Sequence, residues 1–187
     1  MDKRYYFDHS ATTPVRPEVV EAMLPYLAER YGNASSIHSF GREAREALEE
    51  SRRKIAGFIN AQPDEFYFTG CGTESDNIAL AGVILGAREG KNTLVTTSIE
   101  HSAIINTGRM LEKKGFKVVF AGVDRHGVVD LDALQEAVGP DAALVSVMHG
   151  NNETGAVQPI REAARIAHAR GAYFHTDAVQ SAGKVGP

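Results

Sequence analysis

The sequence has no tryptophan, a single cysteine and no block of one-sign charge. One thiol, Cys71, excludes an internal disulfide and any multi-thiolate zinc or iron-sulfur centre within one chain, so no metal site is expected and a reducing, cytoplasmic setting is the expectation. No apolar run approaches the roughly 20 residues that a membrane-spanning helix needs. The opening MDKRYYFDHS lacks the apolar segment of a secretory leader. Lys and Arg total 20 against 24 Asp and Glu, and the resulting charge of −4 is spread along the chain. That leaves no basic footprint for nucleic acid or for an anionic membrane. What remains is a chain of 187 residues, 43% hydrophobic, which suits an ordinary soluble domain. Such a length buries roughly 70% of its unfolded surface without a staple. The last residues, Gly183 to Pro187, follow a strand-like segment with no closing helix and read as an interruption.

A structural alternation runs along the chain. Strand-like runs rich in β-branched and aromatic residues occupy 66–69, 93–97, 117–121, 142–148 and 172–176. Helical patterns separate most of them. Residues 74–88 are apolar almost all round (Ile78, Leu80, Val83, Ile84, Leu85), as in a helix packed between layers. Residues 102–114 end at Gly115, and 131–138 start after the capping Asp130 and stop at Gly139-Pro140. Two helical patterns precede the first strong strand. Val20, Met23, Leu24 and Leu27 form one packing face, and Ala44, Ala47, Leu48, Ser51, Ile55, Phe58 and Ile59 form another. Glu49 with Arg53, and Glu50 with Lys54, are spaced for ion pairs on a solvated face. The expected class is α/β, a mainly parallel mixed sheet with helices on both faces. Residues 1–15 read as an N-terminal segment and 16–187 as one large domain.

The polar clusters fall just after the ends of successive strands: 70–77, 100–102, 149–155 and 177–180. In a parallel sheet those ends share one edge, where ligands bind. Gly70 and Gly72 permit close backbone approach, and Thr73 and Glu74 open a helix whose free N–H groups suit an anion. A glycine turn capped by Thr73 would look the same. The loop is not a P-loop, and Ser75 stands where a dinucleotide fingerprint needs its third glycine. His101 alone reads as a helix-start histidine, and Asn151 and Asn152 as turn formers. Asp177, at a buried strand end, requires a cationic or donor partner. An acid, a polar clamp and a phosphate cradle on one edge suit pyridoxal 5′-phosphate.

Six segments then carry a family resemblance in register: residues 6–14, 32–38, 68–77, 100–101, 148–155 and 175–181. Together they resemble the N-terminal half of a cysteine desulfurase, within the class-V, fold-type I pyridoxal-phosphate aminotransferase superfamily. The resemblance implies the large-domain fold of those enzymes. It also implies that Gly72 and Thr73 hold the phosphate and that His101 stacks on the ring and transfers protons. Asn151 and Gln180 would hydrogen-bond the ring's phenolic oxygen, and Asp177 would pair with the pyridine nitrogen and keep it protonated. The implied reaction takes sulfur from L-cysteine, leaving L-alanine and an enzyme persulfide for iron-sulfur assembly or other sulfur delivery.

The family's cofactor-anchoring lysine sits in a Ser-Gly-His-Lys type segment, which does not occur here. Lys184 matches a different family position, and Lys54, Lys91, Lys113, Lys114 and Lys117 lie away from the pocket edge. Cys71 reads as a small packed side chain in place of the sulfur carrier. The chain alone is therefore expected to be inactive. A full-length homodimer, a sulfur-acceptor or scaffold partner and a cytoplasmic location are implied only by the family. Selenocysteine lyases and aminotransferases of the same superfamily remain alternatives. So does a non-catalytic dinucleotide-binding domain with Glu100 on a ribose hydroxyl, and so does a split or scaffold piece.

Overall fold

A computed structural model describes residues 4–185. They form two compact units, one of Thr13–Thr69 and one of the described residues within Met1–Thr12 and Gly70–Pro187.

The smaller unit holds α1 (Pro17–Ala28), α2 (Ser39–Phe58) and a 3-10 turn at Pro63–Glu65. Pro17 starts α1 where no helical N–H is required. The His38 ring caps α2 by accepting the Gly41 N–H. Both helices were expected, but their packing faces are not covered by the described residues. No residue of α1 is buried, Leu27 is 73% exposed, and α2 buries only Gly41 and Ala56. Periodicity of 3.6 selects which side of a helix is apolar and does not supply the surface that covers it. Glu50 pairs with Lys54 at 2.6 Å as expected, whereas Glu49 takes Arg52 at 3.2 Å instead of Arg53. Arg52 is held there because it also donates to the Phe66 carbonyl and stands over the Phe68 ring. Residues 66–69, expected as a strand, are extended but join no ladder. Their anchor is a side chain, and β propensity without a partner strand makes no sheet.

The larger unit is built on four strands, β1 (Thr93–Thr97), β2 (Lys117–Ala121), β3 (Ala142–Ser146) and β4 (Tyr173–His175), in the order β2-β1-β3-β4. All three pairings are parallel. β1 and β3 are central and buried along their whole length, which explains why their sequences are continuous runs of apolar or small hydroxyl residues. α3 (Gly72–Leu85) and α4 (Ser102–Lys113) cover one face through Leu80, Ile84, Ile104 and Leu111 on Leu94 and Leu144. α5 (Leu131–Ala137) and α6 (Ile160–Ala169) cover the other through Leu134, Ala163 and Ala167 on Val95 and Val145. Burying each of these larger side chains contributes about 1.5–3 kcal/mol. Asp130 caps α5 as expected by accepting the Asp132 and Ala133 N–H groups. α6 was not singled out from sequence, although it is amphipathic and buries Ala163 and Ala167 against the sheet. α3 is not apolar all round in effect: it buries Asp76, Leu80 and Ile84 at four-residue spacing and leaves Ile78 60% exposed.

Parallel strands bring their carboxyl ends to one edge. Beyond β3 and β4 the chains stay side by side, with the Val147 N–H on the His175 carbonyl and the His149 N–H on the Asp177 carbonyl. That run carries Asp177 out to the edge where α3 and α4 begin.

Candidate active site

A cavity of about 260 Å³ opens at this edge. Gly72 and Thr73 of α3, His101 before α4, and Asp177 and Gln180 after β4 all line it, so five of the six residues singled out from sequence meet in one place. Gly72 is required by packing, since a Cβ there would lie 2.7 Å from Val179 Cγ2. The loop thereby presses against the turn after Asp177. The first turn of α3 leaves N–H groups without a helical acceptor at the edge, and just ahead of the helix the Gly70 N–H is taken by the Glu74 carboxylate at 2.6 Å.

Asp177 is 9% exposed and its Oδ1 accepts the Val179 N–H at 2.9 Å. His101 caps α4, its Nδ1 accepting the Ala103 N–H at 3.2 Å. With Nδ1 as acceptor, a neutral ring carries its proton on Nε2. Gln180 donates from Nε2 to the Ala11 carbonyl at 3.0 Å, which ties the N-terminal segment to the rim.

Asn151 is the sixth residue, and it does not line the cavity. Its Nδ2 donates to the Ile99 carbonyl at 2.9 Å, and its Oδ1 accepts from Glu153 N, Thr154 N and Thr154 Oγ1. Its amide holds the turn together, and Asn152 faces the cavity in its place.

Three further ionisable groups, none of them given a cofactor contact from sequence, stand at or behind this edge. Asp76 lines the cavity at 4% exposure, and burial, with the Asp177 charge adding and His101 opposing, pushes its carboxyl up to about 6. The four-residue step from Asp76 to Leu80 and Ile84 is the signal that places it on the inner face. Glu100 is 7% exposed and accepts the Thr97 hydroxyl at 2.7 Å and the Met148 N–H at 3.0 Å. It straps the ends of β1 and β3 together. Burial raises its carboxyl to about 7, against the pull of those hydrogen bonds. Glu100 is so engaged and lies outside the cavity lining, which argues against its ribose role in the dinucleotide alternative. His175 is the third group, and burial pushes its pKa down while the Asp177 charge opposes.

The donor set has two poles. A helix N-terminus with the Thr73 hydroxyl suits a phosphate dianion, and the Asp177 carboxylate suits a protonated ring nitrogen. Pyridoxal 5′-phosphate, with an anionic and a cationic end on one small ring, fits both. Among the described residues no lysine lines the cavity.

The aminotransferase class-V model matches residues 5–186. The chain belongs to the class-V aminotransferase family. Among curated class-V relatives, cysteine desulfurase IscS of Dictyoglomus turgidum is 48% identical over 99% of this chain and 47% of its own length. Cysteine desulfurase IscS of Methanosarcina thermophila is 47% identical over 98% of this chain and 46% of its own. Of solved structures, a NifS-like protein superposes with a TM-score of 0.92 at 42% identity, covering 98% of this chain and 51% of that one. A structure described as SspA in complex with cysteine gives 0.88 at 38% identity, over 94% and 51% of the two chains. The chain thus spans about half the length of the relatives it matches, and its fold is that of the fold-type I pyridoxal-phosphate enzymes, as expected.

Proposed function

We propose that this chain supplies the phosphate and ring contacts of a pyridoxal-phosphate cysteine desulfurase that converts L-cysteine to L-alanine and an enzyme persulfide. One observation carries the reading: Thr73, His101 and Asp177, more than 100 residues apart at the extremes, line a single small cavity between a helix N-terminus and a buried carboxylate. When bound, the cofactor supplies an electron sink for bond cleavage at the substrate's α-carbon. The chain's own residues do the rest of the work assigned here. Gly72 and Thr73 hold the phosphate, and Asp177 keeps the ring nitrogen protonated. His101, with its ring proton on Nε2, stands where it can pass a proton at the cavity edge. Gln180 fixes the rim through Ala11.

The reading extends to a cytoplasmic homodimer that delivers sulfur to an acceptor or scaffold protein. Its support is the single thiol and the uncovered apolar faces of α1 and α2. The cysteine-bound structural relative, at 38% identity, favours L-cysteine over other superfamily substrates.

The chain should bind pyridoxamine 5′-phosphate saturably, and release no alanine or sulfide when given pyridoxal phosphate and L-cysteine alone. Joined to the remaining half of the Dictyoglomus turgidum relative, it should form alanine from L-cysteine. A chimera that folds, binds the cofactor and makes no alanine would overturn the desulfurase assignment. Turnover by the chain alone would overturn the exclusion of its lysines as anchors.

A further inference from the structure

From the cavity wall inward, three side chains left out of that chemistry form a connected polar chain. Asp76 Oδ1 lies 3.6 Å from Nε2 of His175, and His175 Nδ1 lies 2.9 Å from Ser146 Oγ. Asp76 and Ser146 are buried, and the His175 side chain is 16% exposed. Ser146 and His175 are register partners on β3 and β4, so both stand on the sheet face covered by α3 and α4. His175 precedes Asp177 by two residues, the spacing that returns side chains to the same side of an extended chain. The chain therefore runs directly behind the carboxylate assigned to the cofactor nitrogen.

Burial disfavours a charged imidazole, and a neutral one carries a single ring proton. The Ser146 hydroxyl can donate to Nδ1, which leaves the ring proton on Nε2, facing Asp76. From the elements packed around it, Asp76 faces His175 of β4, Asp177 beyond β4, His101 at the start of α4 and, farther behind, Glu100. Two of these are carboxylates and two are imidazoles.

We propose that Asp76 is a positioning residue of the cofactor site: ionised, it fixes the His175 tautomer with Ser146 and places a second negative charge beside Asp177, tightening the hold on a protonated pyridine ring. When its carboxylate takes a proton from solvent, that second charge disappears and the hold loosens. The proposal rests on the cofactor reading above.

The test titrates the intact chain with pyridoxamine 5′-phosphate from pH 5 to pH 8, beside the Asp76→Asn variant. This ligand has no aldehyde and cannot react with lysines. The ratio of the two dissociation constants removes the ligand's own ionisations. The variant should bind about fivefold more weakly at pH 8, with the ratio falling to about one at pH 5 through a step near pH 6. A second readout needs no ligand: the His175 ring ¹⁵N shifts should show the proton on Nε2 and a step near pH 6 that Asp76→Asn abolishes. A ratio independent of pH, with no step in the parent's His175 shifts, overturns the proposal. If in that case the parent still binds and Asp177→Ala weakens binding on the order of 100-fold, the cofactor reading stands. If the parent binds no ligand at any pH, both fall. Should circular dichroism show Asp76→Asn unfolded, Ser146→Ala takes its place. It should redistribute the His175 proton between the two ring nitrogens, and an unchanged tautomer would overturn the proposal.

Discussion

The two ends of the sheet in the larger unit carry contrasting cavities. At the amino end lies the larger space, about 680 Å³, lined largely by Gly82, Val83, Gly86, Ala87, Ala143 and Ala172, with basic side chains such as Lys91 at its margin. At the carboxyl end lies the smaller, about 260 Å³, with Thr73, Asp76, His101 and Asp177 converging on it. Size alone would choose the first. Chemistry chooses the second, because a ligand is oriented by a few placed polar groups, and the ends of parallel strands and the starts of the following helices deliver them together.

The largest expected effect is at the carboxyl end. Asp177→Ala removes the buried partner of a ring cation and should weaken pyridoxamine 5′-phosphate binding on the order of 100-fold, measured by equilibrium titration at pH 8. A loss below about threefold would place the ring nitrogen elsewhere.

Next in size is a pH effect on stability. Glu100 has its carboxyl raised from 4.5 to about 7 by burial, so between those values the folded chain binds more protons than the unfolded one. Stability must then fall as pH rises through that interval, by on the order of 2 kcal/mol, and be greatest at its acid end. Glu100→Gln keeps an oxygen to accept from Thr97 and Met148, and should flatten most of the slope seen in urea unfolding. Asp76, raised from 3.8 to about 6, adds to the slope below pH 6, while the lowered His175 opposes both. A parent chain that gains stability between pH 5 and pH 7 would contradict the burial assigned to both groups.

The smallest effects sharpen the contrast by their absence. Ala87→Leu projects extra volume toward the larger cavity and should leave ligand affinity within about twofold. Leu27→Ala, on the exposed face of α1, should change unfolding free energy by less than about 0.5 kcal/mol. A larger cost would show that α1 buries its apolar side in solution.

How far the sequence could be read follows the same physics. β1 and β2 were legible to the residue, because β-branched runs bounded by polar loops specify buried strands. Residues 66–69, Phe-Tyr-Phe-Thr, are equally rich in strand-forming side chains and form no strand, since pairing depends on a neighbour that local pattern does not reveal. The helices of the smaller unit were legible for the same reason that their faces misled: the pattern states that an apolar stripe exists and is silent on its cover. At the site, His101 and Asp177 were legible from their place after strand ends, Thr73 from the glycine loop that opens a helix, and all three from family motifs. Asn151 shared both signals, yet its amide is consumed by the turn of residues 151–154, a local competition that only coordinates resolve. Asp76 and His175 were overlooked because each sits on a face that reads as core.

Backbone amide shifts of the chain on titration with pyridoxamine 5′-phosphate test the central claim most directly. Perturbations confined to the cavity lining, residues 71–76, 101–103, 148–152 and 177–180 together with Ala11, are the predicted result. Perturbations at 86–91 and 171–173 instead, or none at all, would contradict it.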